Sequence, residues 1–212
     1  MDADRRVLFF GDSFVAGVGD PTGRGWVGRV VAASFDAGLP LVAYNLGVRR
    51  ETSLDVAARW RDEARPRLRA QAGYGVVFGF GVNDTTMEDG RPRVEPGDGV
   101  DALGRVLDGA RELALAALVV GLPPAGEPGQ DVRVGALSAA FADVAAARGV
   151  PFVDVFGSLC ANAAWTAEAA AGDGAHPGAG GYAALARLVL ARGWLEWLAA
   201  IRPFVVPENP QT

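Results

Sequence analysis

The stretch VLFFGDS, residues 7–13, decides how the rest of the chain is interpreted. It begins with four apolar residues and ends with three residues that favour turns. A short continuous apolar run is typical of a strand that is covered on both faces of a parallel sheet. Ligands bind beyond the carboxyl ends of such strands, so the hydroxyl of Ser13 stands where a reacting group would be placed. The triplet Gly-Asp-Ser alone could equally be ordinary turn chemistry, so the choice depends on what the rest of the chain supplies.

Strand and helix patterns alternate along the chain. Apolar runs predict five strands, at residues 7–10, 41–44, 75–80, 117–122 and 151–155. Apolar residues at helical spacing predict helices at 26–35, 53–68, 103–114, 134–144 and 180–201. Pro66 is expected to kink or shorten the second helix, residues 84–99 are expected to form a loop, and residues 156–172 fit a short helix or a loop. The alternation predicts a three-layer α/β/α fold with a parallel sheet, in which residues 1–201 form one domain and residues 202–212 a C-terminal tail.

The composition excludes several classes of function. The net charge is −5 and the isoelectric point is near 4.9, which argues against a nucleic-acid partner because phosphate binding needs concentrated Lys and Arg. The single cysteine, Cys160, excludes an internal disulfide, and the single histidine, His176, excludes a multi-histidine metal site. Asp84, Glu88 and Asp89 are close in sequence but lack a metal-ligand pattern. No metal site is therefore predicted.

The sequence shows no targeting segment. Residues 1–4 are Met-Asp-Ala-Asp, which is unlike a basic region followed by an apolar one. The longest apolar run, residues 113–122, is far shorter than the roughly 20 residues that a membrane-spanning helix needs. We therefore expect no membrane insertion and a cytoplasmic location.

Polar residues and glycines follow several of the predicted strands. Gly11-Asp12-Ser13 follows the first strand, Asn45-Leu46-Gly47 the second and Gly81-Val82-Asn83-Asp84 the third, while the region after the fifth strand carries Asp173 and His176. In a parallel sheet all four sites lie at the same edge. Each residue taken singly is explained as a turn or capping residue, but their convergence favours a functional site.

These residues can fill every role in serine-based catalysis. A serine hydroxyl is a weak nucleophile until a base takes its proton, and His176 is the only imidazole available. Asp173 lies three residues earlier, and a four-residue turn can bring its ends within about 7 Å, so the carboxylate could orient the imidazole. The N–H groups of Ser13 and Gly47 and the side-chain amide of Asn83 could donate to an oxyanion.

The Gly-rich segment 16–23 suggests an alternative. It could hold a phosphate or a nucleotide, which would make the protein a non-catalytic binding protein. The segment lacks the phosphate-loop pattern, however, and Gly17-x-Gly19 has no third glycine at the dinucleotide-binding spacing. In this alternative the Ser, His and Asp residues would also have no role.

The four blocks, in this order, resemble those of the SGNH (GDSL-type) hydrolases, which are serine esterases and lipases of a flavodoxin-like α/β fold with a parallel five-stranded sheet. Gly11-Asp12-Ser13 resembles the nucleophile block, Gly47 the glycine block, Gly81-Val82-Asn83-Asp84 the GxND block and Asp173-Gly174-Ala175-His176 the DxxH block. The resemblance implies that Ser13 is the nucleophile, His176 the base and Asp173 its orienting acid. It also implies an oxyanion hole of Ser13, Gly47 and Asn83, and a structural role for Asp12. Phe14 departs from the leucine of the family name, which should change the local packing.

The resemblance implies hydrolysis of carboxylic esters of small molecules through an acyl-enzyme, without a cofactor. A carbohydrate O-acetyl esterase or an acyltransferase could use the same site. Trp26, Met87 and Trp165 lie in segments that could border this site, where an aromatic side chain could stack on a sugar, but each is better explained as a core residue.

Overall fold

A five-stranded parallel sheet lies between two layers of helices in the computed structural model, which describes residues 4–69 and 72–202. The strands of this sheet are β1 (Arg5–Gly11), β2 (Val42–Gly47), β3 (Gly73–Gly79), β6 (Ala116–Val120) and β7 (Phe152–Val153). A separate antiparallel hairpin is formed by β4 (Met87–Glu88) and β5 (Arg91–Pro92). The sheet order is β2-β1-β3-β6-β7, which is the flavodoxin-like order and confirms the predicted fold class.

The order of the strands places a crevice above β1 and β3. The chain leaves β1 toward β2 on one side, and β3 connects to β6 on the other, so the connections diverge between β1 and β3. Ligands bind at this switch point in open α/β sheets. Ser13 follows β1 and Asn83 follows β3, so both residues lie at the crevice.

Nine α-helices accompany the strands in the described part of the chain. They are α1 (Ser13–Ala16), α2 (Gly25–Asp36), α3 (Ser53–Ala64), α4 (Pro96–Glu112), α5 (Pro128–Ala147), α6 (Phe156–Cys160), α7 (Ala163–Ala171), α8 (Ala179–Val189) and α9 (Leu195–Ala200). Short 3₁₀ turns follow α3 at Arg65–Arg67 and β3 at Asn83–Thr85. Helix α2 packs against α8, whereas α3 packs against α4, and α4 against α5.

The central strand joins the two helical layers through alternate side chains. Residues 7–10 of β1 have no exposed surface. Because successive side chains of a strand point to opposite faces, Phe9 contacts Trp26 of α2 and Trp194, while Phe10 contacts Trp60 of α3. The continuous apolar run is therefore the sequence signature of a strand buried on both faces.

Several predicted boundaries were wrong. Helix α4 begins at Pro96, because a proline fits the first turn of a helix, so the predicted loop 84–99 is shorter and contains the hairpin. Residues 156–172 form two helices, and the predicted helix 180–201 is interrupted at Gly193, whose φ of 94° is left-handed. Helix α3 ends at Ala64, two residues before Pro66, in agreement with the prediction that this proline shortens the helix. Of the predicted tail, residues 203–212 lie outside the described part of the chain.

In residues 4–69 and 72–202, the helices are too short or too polar for any of them to cross a membrane.

We predict that Phe9→Ala lowers the free energy of unfolding by about 3–5 kcal/mol, because it leaves a cavity between two tryptophans. Urea unfolding followed by circular dichroism measures the change. The matched control is Phe35→Ala on α2, whose side chain is 55% exposed, and this variant should change stability by less than about 0.5 kcal/mol. A loss below about 1 kcal/mol in Phe9→Ala would contradict the central role of this side chain.

Candidate active site

Ser13 is held at the start of a one-turn helix at the carboxyl end of β1. The Asp12 side chain caps this helix by accepting a hydrogen bond from Phe14 N at 2.9 Å. Gly17, with a left-handed φ of 81°, ends the helix after four residues. The backbone that carries Ser13 is thereby fixed at both ends of the helix, and the residue is only 3% exposed. This helix was not predicted from the sequence, because four residues are too few for a periodic pattern.

Ser13, His176 and Asp173 form one line of hydrogen bonds. Ser13 Oγ lies 2.7 Å from His176 Nε2, and His176 Nδ1 lies 2.7 Å from Asp173 Oδ2. The other carboxylate oxygen of Asp173 accepts the backbone N–H groups of Ala175 and His176 at 3.1 and 2.9 Å. The turn from residue 173 to residue 176 is thus closed by the carboxylate itself, which fixes the direction in which it meets the imidazole.

Gly47 and Asn83 lie at the same edge of the sheet, each with a hydrogen bond to a neighbouring loop or side chain. Gly47 is in register with Gly11, and its N–H donates to Asn45 Oδ1 at 3.1 Å. The Asn83 amide donates through Nδ2 to the carbonyl oxygen of Glu51 at 2.9 Å. Because Nδ2 carries two hydrogens, one remains for another acceptor.

Glycine is required where the ends of these strands meet. A Cβ added to Gly47 would lie 2.3 Å from the nitrogen of Ala16 in α1. A Cβ added to Gly11 would lie 2.0 Å from the carbonyl oxygen of Gly79. Both distances are far below van der Waals contact, so the absence of side chains allows β2 and β3 to approach the turn that carries Ser13.

The chain matches the model of the GDSL-like Lipase/Acylhydrolase family over residues 9–184. It belongs to this family. The protein is therefore a carboxylic ester hydrolase of the serine type, acting on small-molecule esters.

The solved structures that resemble the enzyme share its fold. A lipase/acylhydrolase from Enterococcus faecalis is 22% identical, with a TM-score of 0.71, and the match covers 95% of this chain and 100% of that one. Axe2, an acetylxylan esterase from Geobacillus stearothermophilus, is 20% identical, with a TM-score of 0.69 and coverage of 95% and 99%. LAE5, an alpha/beta hydrolase enzyme from the metagenome of Lake Arreo, is 22% identical, with a TM-score of 0.69 and coverage of 92% and 97%. Comparison with curated protein sequences gives no match.

Phe14 supports the imidazole of the enzyme. Its ring centroid lies 4.9 Å from that of His176 and 5.9 Å from that of Trp165, on which it stacks. Trp165 is buried and donates through Nε1 to the carbonyl oxygen of Pro124 at 3.3 Å. The departure from leucine at position 14 thus places an aromatic ring between the imidazole and the core. Trp26 is likewise a core residue, as predicted. The prediction that Met87 is a core residue was wrong, because Met87 is exposed on the hairpin.

The Gly-rich segment 16–23 packs against the turn that carries the imidazole. A Cβ on Gly19 would lie 3.0 Å from His176 Cβ and 2.8 Å from the carbonyl oxygen of Pro177. The carbonyl oxygen of Val18 accepts a hydrogen bond of 2.7 Å from the hydroxyl of Tyr182. The glycines therefore allow segment 16–23 to lie directly against the turn that carries His176.

Buried and exposed carboxylates of the site differ in pKa. Burial raises the pKa of Asp12 to about 7 and also raises the pKa of Asp84, which accepts a hydrogen bond from Ser53 N at 2.8 Å. Asp173 is partly exposed, and its burial is outweighed by the hydrogen bonds from His176 and Ala175, so its pKa falls to about 2. Asp173 is therefore the carboxylate that stays ionised beside the imidazole at neutral pH.

The contacts that hold the predicted site residues in place were not predicted from the sequence. Glu51 binds Asn83 through its backbone, and Asn45 Nδ2 donates to the carbonyl oxygen of Val15 at 2.8 Å. Arg49 lies 3.6 Å from Asp173 Oδ2, but both side chains are exposed and such pairs contribute little. Bonds to a backbone carbonyl leave no sequence motif, because every residue type has that group. Among the described residues, no group of three His, Cys, Asp or Glu side chains could hold a metal ion.

We predict that Gly47→Ala lowers kcat for ester hydrolysis by about 100-fold, because its Cβ would displace the backbone of α1 and with it Ser13. Steady-state kinetics on an activated ester measure the effect. Gly97→Ala in α4 is the control, since a Cβ there meets no atom within 4 Å, and its kcat should be unchanged. Equal activity of the two variants would contradict the steric argument.

Asp20 accepts hydrogen bonds from Thr22 N and Gly25 N, both at 2.9 Å, and forms an ion pair with Arg29. Burial is outweighed by these partners, so the pKa of Asp20 falls to about 2 in the folded protein. Since the unfolded value is about 3.9, Asp20 stabilises the fold above that pH, by about 2 kcal/mol, and loses this contribution as the pH falls toward 2.

Asp20→Asn should therefore be less stable than the parent at pH 7, and the difference should shrink as the pH falls from about 4 to 2. Urea unfolding at a series of pH values measures it, with the exposed Asp36→Asn as control. A difference that does not depend on pH would show that the ionised carboxylate is not what stabilises the loop.

Proposed function

We propose that the enzyme hydrolyses esters through an acyl-enzyme formed on Ser13, with His176 as general base and Asp173 as its orienting acid. The observation that carries this proposal is the unbroken line of two 2.7 Å hydrogen bonds from Ser13 Oγ through both nitrogens of His176 to Asp173. Nucleophile, base and orienting acid are recognised by this geometry and not by sequence position.

In the first half-reaction, His176 Nε2 accepts the proton of Ser13 Oγ while this oxygen attacks the ester carbonyl carbon. Asp173 keeps the proton of the imidazole on Nδ1, so that Nε2 is free to accept, and it stabilises the imidazolium that forms. The imidazolium then gives its proton to the leaving alcohol oxygen as the bond between carbon and that oxygen breaks. The acyl group remains on Ser13.

The negative oxygen of the tetrahedral intermediate needs hydrogen-bond donors. We assign this oxyanion hole to the N–H groups of Ser13 and Gly47 and to the free amide hydrogen of Asn83. Ser13 N is the first N–H of α1 and has no partner within the helix. The N–H of Gly47 would have to turn from Asn45 toward the ligand or be shared with it.

In the second half-reaction, a water molecule replaces the alcohol. His176 removes its proton, the resulting hydroxide attacks the acyl carbon, and the proton returns to Ser13 Oγ as the acid leaves. If another hydroxyl compound enters in place of water, the same steps transfer the acyl group to it, so acyl transfer is an outcome that the same site permits.

We predict that Ser13→Ala lowers kcat at least 1,000-fold on a p-nitrophenyl ester while the folded state is retained. Hydrolysis of p-nitrophenyl esters with acyl chains from acetate to palmitate is measured for the parent and for the variant. The control is Ser158→Ala, which changes an exposed serine of α6. Full activity in folded Ser13→Ala would refute the proposed nucleophile.

The same series distinguishes between the possible substrates. Hydrolysis of the acetate ester alone would indicate that the natural substrates are acetyl esters, including those on sugars. Hydrolysis of the long-chain esters would indicate lipid substrates. A faster release of p-nitrophenol when an alcohol is added would identify transfer to an acceptor.

A further inference from the structure

Arg59 of α3 lies directly beneath the ends of β1 and β2. Its guanidinium nitrogen Nη2 donates to the carbonyl oxygen of Leu46 at 2.8 Å and lies 3.5 Å from that of Gly11. Leu46 precedes Gly47, and Gly11 precedes the Asp12–Ser13 turn. The side chain is only 19% exposed. A single cation therefore contacts both strands that lead into the site.

The same guanidinium binds two carboxylates. Its Nε donates to both carboxylate oxygens of Glu51 at 2.9 and 2.7 Å, and Nη1 donates to Glu63 at 2.8 Å. Glu51 is 17% exposed, so this ion pair is screened by water far less than a surface pair. Charge-assisted hydrogen bonds in a partly buried place are among the stronger polar contacts of a protein. Arg59 thus fixes the position of Glu51.

Glu51 in turn orients Asn83 through its backbone. Its carbonyl oxygen accepts the hydrogen bond of 2.9 Å from Asn83 Nδ2. Its N–H donates to the carbonyl oxygen of Val48 at 3.3 Å, which closes the turn that follows Gly47. Arg59 therefore holds the side chain of Glu51, while the backbone of Glu51 binds Asn83.

We propose that Arg59 is a positioning residue for ester hydrolysis: by holding Glu51, it directs the amide of Asn83 toward the oxyanion. The inference rests on the proposed function, since it requires Asn83 to be a donor of the oxyanion hole. The hydrogen bonds of Arg59 go to Glu51, Glu63 and backbone carbonyl oxygens and not to Ser13, so it acts on the rate through Glu51. An arginine suits this task because its planar fork can donate to a carboxylate and a carbonyl at once, which the single ammonium of a lysine does less well.

The chain offers a matched control on the same helix. Arg61 pairs with Glu112 at 2.6 Å, and its guanidinium lies 5.7 Å from the ring centroid of Trp60. Arg59 has the corresponding pair with Glu51 and lies 5.6 Å from the centroid of Phe10. The two arginines thus share an ion pair and a cation–π contact, and only Arg59 is linked to Asn83.

The first test compares Arg59→Met with Arg61→Met in steady-state hydrolysis of a p-nitrophenyl ester. Loss of one oxyanion donor costs about 10²–10³ in kcat, so a misdirected donor should cost about 10-fold, with KM changed less than about 3-fold. Arg61→Met should keep the parent kcat. Arg59→Lys should recover part of the loss, because it restores the charge without the fork. An unchanged kcat in Arg59→Met would overturn the inference.

The decisive test is a double-mutant cycle between Arg59→Met and Asn83→Ala. If Arg59 acts through Asn83, its removal should lower kcat less than about 2-fold when Asn83 is already alanine. Equal effects in both backgrounds would show that Arg59 acts on the rate by another route, such as its contacts with the carbonyl oxygens of Leu46 and Gly11, and would overturn the inference. If Arg59→Met does not fold, Glu51→Gln replaces it in the cycle, because this change weakens the ion pair without a change of size. Its effect on kcat should likewise be smaller when Asn83 is already alanine.

The outcomes separate this inference from the proposed function. Activity retained in Ser13→Ala refutes the acyl-enzyme, whatever Arg59 does. An unchanged kcat in Asn83→Ala removes Asn83 from the oxyanion hole and overturns the inference with it. If Ser13→Ala and Asn83→Ala both lose activity but the effects of Arg59→Met and Asn83→Ala on kcat are additive, only the positioning role of Arg59 is refuted.

Discussion

The backbones at the carboxyl ends of β1, β2 and β3 approach each other closely, and this approach positions every other part of the site. Gly11 and Gly47 leave no room for a Cβ, so the turn that begins with Asp12 is confined between the two neighbouring strands. The backbone of this turn can move only if the neighbouring strands move with it. In the proposed mechanism the position of the nucleophile is therefore set by the packing of these strand ends.

The other groups of the site belong to segments that are distant from Ser13 in the chain. His176 and Ser13 are 163 residues apart in the chain, and their 2.7 Å contact depends on the packing of the loop around them. Phe14 supports the imidazole from below, and the backbone of Gly19 lies against its Cβ. The aromatic contact excludes water from one side of the ring, while the glycine lets the neighbouring loop come close. Both features restrict the imidazole to the direction that meets the serine hydroxyl.

Three aspartates of the site differ in burial and pKa, and therefore in role. Asp12 and Asp84 are buried, with raised pKa values, and each accepts a backbone N–H: the first caps α1 and the second binds the start of α3. Asp173 is more exposed and accepts two backbone N–H groups as well as the imidazole, which keeps its pKa low. Three aspartates near one serine thus differ in role because their surroundings differ.

The alternation of strands and helices and the polar residues at the strand ends could be predicted from the sequence, because periodicity and turn chemistry are local properties of the chain. The sequence did not determine the one-turn helix at Ser13, the start of α4 at Pro96 or the break at Gly193, since short elements and helix ends carry little periodic signal.

The contacts that hold the site together come from tertiary packing and could not be predicted from the sequence. The ring of Phe14 lies beneath His176, and Glu51, fixed by its side chain, binds Asn83 through a carbonyl oxygen. A backbone carbonyl is the same in every residue, so its choice of partner cannot be read from residue types and follows from the packing of distant segments.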